Sequence, residues 1–94
     1  MATYTQILYQ IVFSTKNREF TLIKEGRERL FRYIWGILKN HNCRLYRING
    51  MEDHLHILTS LHPAVALSDL VKEIKVSSAK FIKENNVFPN FAYW

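Results

Sequence analysis

Glycine, proline and cysteine are all scarce: three, two and one of them in 94 residues. The lone cysteine, Cys43, closes no internal disulfide. That excludes a disulfide-stapled secreted scaffold and fits a reducing cytoplasm. With so little glycine there is no glycine-rich phosphate loop, and no Gly-x-Ser-x-Gly motif marks a hydrolase. No run of about 18 apolar residues exists, so no membrane-spanning helix is expected. Residues 1–6 lack the basic-then-apolar pattern of a signal peptide. No internal repeat, low-complexity tract or Gly/Ser linker divides the chain, so residues 1–94 read as a single domain. Acidic residues are outnumbered, eight against thirteen basic, giving a net charge of +5 and a pI near 9.6. A basic, aromatic-rich domain of this size suits nucleic acid rather than a membrane or a small-molecule substrate. Charge alone leaves a generic basic protein equally open.

What the chain does have is a 48% hydrophobic content, ample for one core, and Asp53-His54-Leu55-His56-Ile57-Leu58. This stretch opens an apolar, β-favouring run to Leu61 without helical spacing. Side chains at i and i+2 of a strand leave on one face. His54 and His56 therefore project together, while Leu55 and Ile57 point the other way. Two imidazoles so placed can hold one divalent ion or one phosphate, with Asp53 accepting from a ring N–H. The same spacing also occurs in ordinary surface histidines.

Around this stretch the elements follow in order. Residues 6–14 (QILYQIVFS) are apolar at nearly every position and predict a central strand buried on both faces. A polar loop, 15–19, carries Lys16 and Arg18 at the strand end, where they are candidates to clamp phosphate. Residues 25–40 predict a helix, with Leu30, Ile34, Ile37, Leu38 and His41 in one stripe, widened by Phe31 and Trp35. Residues 43–48 predict a second strand, turned by Asn49-Gly50 with Met51-Glu52-Asp53 widening the loop. The His-x-His strand returns antiparallel over 54–61. Residues 67–84 predict a second helix, capped by Ser68, with Asp69 in its first turn. Residues 87–94 suggest the approach to another strand. This βαββα(β) order is α+β and ferredoxin-like. Both helices should cover one face of the sheet, leaving His54 and His56 on the other.

The segments YQIVFSTKNR (9–18), GMEDHLHIL (50–58), LSDLVKEIKVSSAKFIKE (67–84) and FAYW (91–94) resemble the HUH-type single-tyrosine transposases of bacterial insertion sequences, which include the REP-associated ones. The resemblance runs through the whole chain in the family's order. It implies an enzyme that binds hairpins and cuts and rejoins single-stranded DNA through a 5′-phosphotyrosine. It further implies Mg²⁺ or Mn²⁺ on His54 and His56, a single-stranded DNA hairpin as partner, and a homodimer as the active form. In that family the nucleophilic tyrosine and a third metal ligand, usually an amide, lie on a later helix. None of Tyr4, Tyr9, Tyr33, Tyr46 and Tyr93 occupies that position. The expectation is thus a chain truncated before the tyrosine helix, which binds DNA without cleaving it and holds metal weakly. Lys16, Arg18, Arg47, Lys75 and Lys80 are the DNA-contact candidates, each with plain solvation as its alternative.

Two other functions compete with this one. An RNA-recognition-type module shares the topology, but its aromatic motif is absent and histidines stand where stacking rings belong. A zinc site of His41, Cys43, His54 and His56 fails on reach: a hairpin turning near Gly50 sets Cys43 on the order of 15 Å from His54.

Overall fold

The computed structural model describes residues 7–94. Gln6, expected to open the first strand, lies outside the described residues, as does Tyr4. The elements run β1 (Leu8–Ser14), a 3-10 turn (Lys16–Arg18), α1 (Lys24–Asn40), β2 (Leu45–Gly50), β3 (His54–Ser60) and α2 (Leu67–Glu84). The strands form one antiparallel sheet in the order β1-β3-β2. The architecture is α+β, as the alternation of patterns predicts.

Alternation along β3 organises the core. Leu55, Ile57 and Thr59 are fully buried, while His54, His56 and Leu58 between them stay half-buried. Register carries the pattern sideways: Phe13 lies opposite Leu55, Ile11 opposite Ile57, and Ile48 opposite Ile57 on the far side. These side chains share a cluster with Leu30, Ile34 and Leu38 of α1 and Leu70, Ile74 and Ile82 of α2. Burial of each large aliphatic contributes about 1.5–3 kcal/mol. Both helices therefore cover one face, and among the described residues the face with the histidines is left open.

Several local expectations are corrected. The central strand is β3; β1 is an edge strand among the described residues, with Leu8 and Val12 exposed on the open face. A nearly continuous apolar run therefore does not mark two-sided burial here. Asn49 and Gly50 are paired ladder residues, opposite His56 and Leu55, and neither takes a positive φ. The chain turns instead at Met51–Asp53. Glycine at position 50 serves close packing: a Cβ there would stand 3.3 Å from the Phe31 ring. The N-cap of α2 is Ala66 rather than Ser68. Trp35 is 51% exposed instead of joining the core.

Residues 87–94 form turns and irregular chain in place of a strand. They pack inward all the same, with Val87, Phe88 and Phe91 buried. Trp94 lies against Phe91 and Phe13, and its indole N–H donates to Ser78 Oγ at 2.8 Å. Apolar content decided the burial of this segment, while its turns at 85–90 kept it from extending along the sheet.

Candidate metal and nucleic-acid site

β3 begins at His54, directly after the 51–53 turn, and its pleat delivers His54 and His56 to the open face. Their ring centroids are 4.8 Å apart, edge to face. Each ring has its Nδ1 engaged by a different element. Asp53, in the turn, places Oδ1 2.6 Å from His54 Nδ1. Gln10, on β1, places Nε2 3.3 Å from His56 Nδ1. In both rings this leaves Nε2 as the nitrogen available to a further partner.

Asp53 is itself held. Arg18 donates from Nε to its Oδ2 at 2.9 Å, and the hydrogen bond from His54 together with Arg18 keeps the Asp53 carboxyl below the usual carboxylate range. Arg18 reaches it through an unusual loop: Asn17 and Arg18 both have left-handed backbone, φ 55° and 56°. Neither is glycine, so the turn is strained and must be held from outside. Buried Thr15 does part of this, its hydroxyl donating to the Glu19 and Asp53 carbonyls.

The expected DNA contacts divide. Arg47 is exposed on β2 and lines a cleft with Gln10, His56 and Leu58, so the fold brings it beside the histidine pair. Arg18 is brought to the same region, but on Asp53. Lys16 sits with its Nζ 5.0 Å from the Tyr93 ring centre. Lys75 and Lys80 are exposed on α2, in the helical layer behind the sheet, and Lys80 lies 3.9 Å from Glu84.

Two features escaped sequence reasoning. Gln10 is one, and the opposition of β1 to β3 that places it is a tertiary fact. The second is a basic-aromatic pair of contacts, Lys39 over Trp35 at 5.2 Å and Arg44 over Tyr46 at 5.0 Å. The i to i+4 spacing of Trp35 and Lys39 was the signal available for the first of these. Of the alternative zinc ligands, His41 pairs with Glu73 of α2 and Cys43 is buried against the His41 carbonyl. Among the described residues no three His, Cys, Asp or Glu side chains gather in a way that could hold a metal.

As donors, the two imidazoles suit a divalent ion at two positions only. His54 has in Asp53 the acceptor that a ligating histidine needs at its other nitrogen, while His56 faces the amide nitrogen of Gln10, a donor. A hard cation such as Mg²⁺ prefers oxygen, so its remaining positions would fall to phosphate and water. The residues present fit such an ion in part.

Known proteins resemble this chain in sequence and in fold. The family model for IS200-like transposases matches residues 3–94. The ISDra2 transposase TnpA of Deinococcus radiodurans is 29% identical over 75 residues, which are 80% of this chain and 54% of that protein. The chain thus spans about half the length of this curated relative. A crystal structure of a candidate transposase from the same bacterium superposes with a TM-score of 0.81 at 24% identity, covering 90% of this chain and 65% of that one. At that identity the likeness establishes a common fold. No helix among the described residues is long and apolar enough to cross a membrane. On the family match along nearly its whole length, the chain belongs to the IS200-like transposase family.

Proposed function

We propose that this chain is the DNA- and metal-binding part of a single-stranded DNA transposase of the HUH type. The observation that carries the reading is the histidine pair, side by side on an otherwise open sheet face with both Nδ1 atoms engaged. His54 and His56 would hold Mg²⁺ or Mn²⁺ through Nε2. The ion, when bound, polarises the scissile phosphodiester as a Lewis acid. Asp53 orients His54, and Arg18 keeps that carboxylate ionised and in place. Arg47 beside the pair supplies positive charge for a phosphate of a single-stranded DNA hairpin. Lys16 is a further phosphate contact at the edge of the site, while Lys75 and Lys80 would serve only DNA that wraps to the helical layer.

Covalent strand transfer needs a tyrosine hydroxyl at the phosphate. Tyr9 lies in register with Thr59 on the helix-covered face, and Tyr33 stacks on Phe81 at 4.2 Å. Tyr46 falls in the irregular register of β2, and Tyr93 packs with Lys16. We therefore assign binding, rather than cleavage, to the described residues. We place the complex in the cytoplasm, with its DNA, and its active form as a homodimer.

The test is a denaturing gel of the chain with labelled hairpin oligonucleotides and Mn²⁺, run beside a native gel. Binding without a covalent adduct is the expected result. A covalent adduct would show that a tyrosine of this chain does the chemistry. Absence of binding to any single-stranded hairpin would overturn the DNA-binding reading.

A further inference from the structure

Gln10 stands on the open face of β1, next to the His56 ring across the β1–β3 ladder. We infer that Gln10 is a positioning residue whose amide orientation sets the His56 tautomer, and with it whether His56 can ligate a divalent cation. This rests on the reading that His54 and His56 hold such an ion.

The two histidines are held by chemically different partners. Asp53 is a carboxylate and only accepts, so His54 donates from Nδ1, and its neutral ring carries the lone pair on Nε2. Arg18 locks that carboxylate from its other side, at 2.9 Å. Of its two neutral tautomers, His54 is therefore held in the one that can ligate. The Gln10 amide is ambivalent. With its carbonyl toward His56, it accepts from Nδ1–H and leaves Nε2 free to bind a metal. With its NH₂ toward His56, the arrangement of the structure, it donates to Nδ1, the proton sits on Nε2, and that nitrogen cannot ligate until the amide turns over. The two arrangements differ by a half-turn of the amide and one ring proton. Gln10 is also exposed and neutral, and its contact is the longer one, 3.3 Å against 2.6 Å. His56 is thus the adjustable ligand of the pair, and the amide orientation is coupled to ion binding.

Two substitutions separate this role from simple packing. Gln10→Glu supplies an acceptor only and copies onto His56 what Asp53 does for His54. Gln10→Leu keeps the size and removes both hydrogen-bonding options. Two readouts apply to the whole chain, with circular dichroism to verify folding. The first is the His56 tautomer in metal-free protein at pH 8, from long-range ¹H–¹⁵N spectra. The second is Mn²⁺ affinity, from the free-ion electron paramagnetic resonance signal. Gln10→Glu should drive His56 to the Nδ1–H form and tighten Mn²⁺ binding. Gln10→Leu should leave mixed tautomers and weaken binding about 10-fold or more, the scale of lost outer partners at metal-bound histidines. Wild-type Mn²⁺ binding that is lost in His54→Ala yet unchanged, with unchanged His56 tautomer, in both Gln10 variants would overturn this inference alone. A wild-type chain that binds no Mn²⁺ would overturn the metal reading and the inference with it.

Discussion

Asp53 Oδ1 stands 2.6 Å from His54 Nδ1, and the same carboxylate takes a second hydrogen bond from Arg18. The two partners hold its carboxyl below the ordinary range, the His54 bond contributing most. A depressed pKa in the folded state stabilises the fold above the unfolded value, about 3.9 for aspartate. That contribution is lost as the pH falls through the folded value. Asp53→Asn should therefore melt below the wild type near neutrality, with the gap closing as the pH is lowered below about 4. Thermal melts of both proteins across that range make the comparison. A gap that stayed constant into strong acid would remove Asp53 ionisation as its source.

Position 26 tolerates only glycine without movement. A Cβ there would lie 2.6 Å from the Phe88 ring, 2.7 Å from the Val87 carbonyl oxygen and 2.8 Å from Val87 Cγ1. One of the obstacles is backbone, so the 87–91 segment must shift. Gly26→Ala should cost about 1–3 kcal/mol by overpacking, despite alanine's better helix propensity. Urea denaturation measures it, and a neutral or stabilised variant would show that the segment moves freely.

Trp94 and Ser78 should be coupled energetically. Ser78 is fully buried in α2, donates to the Ile74 carbonyl, and accepts from the Trp94 indole. Replacing either partner, by Ser78→Ala or Trp94→Phe, should lose about 0.5–1.5 kcal/mol from the hydrogen bond. The double variant should lose less than the sum of the two. Strict additivity in a double-mutant cycle would mean the bond contributes nothing.

The cations on the two layers should behave differently toward DNA. Arg47 lies beside His56 on the open face, whereas Lys80 is on α2 near Glu84. Arg47→Ala should weaken hairpin binding and reduce the salt slope by about 0.7, the value for one single-strand phosphate contact. Lys80→Ala should change neither. Fluorescence anisotropy at several salt concentrations decides it, and equal effects of the two variants would place DNA on both layers.

Much of this protein is legible in its residue pattern. Period-two alternation from His54 to Thr59 specified which face is buried, because a pleated strand can send its side chains only two ways. Helical periodicity marked both helices: α2 is observed at Leu67–Glu84, as the pattern predicts. The Asp-His-x-His order marked the candidate site. Local pattern could not decide sheet order, since β1 is apolar enough for a centre yet sits at an edge among the described residues. Nor could it decide the turn, where Asn49 and Gly50 are drawn into the ladder and Gly50 is packed under Phe31. Gln10 beside His56, Arg18 on Asp53, and Trp94 on Ser78 join residues 46, 35 and 16 positions apart. Such pairs follow from strand register and helix docking rather than from any neighbouring residue. Sequence thus determined the elements, their buried faces and the histidine pair. Tertiary structure alone decided which side chains hold those histidines.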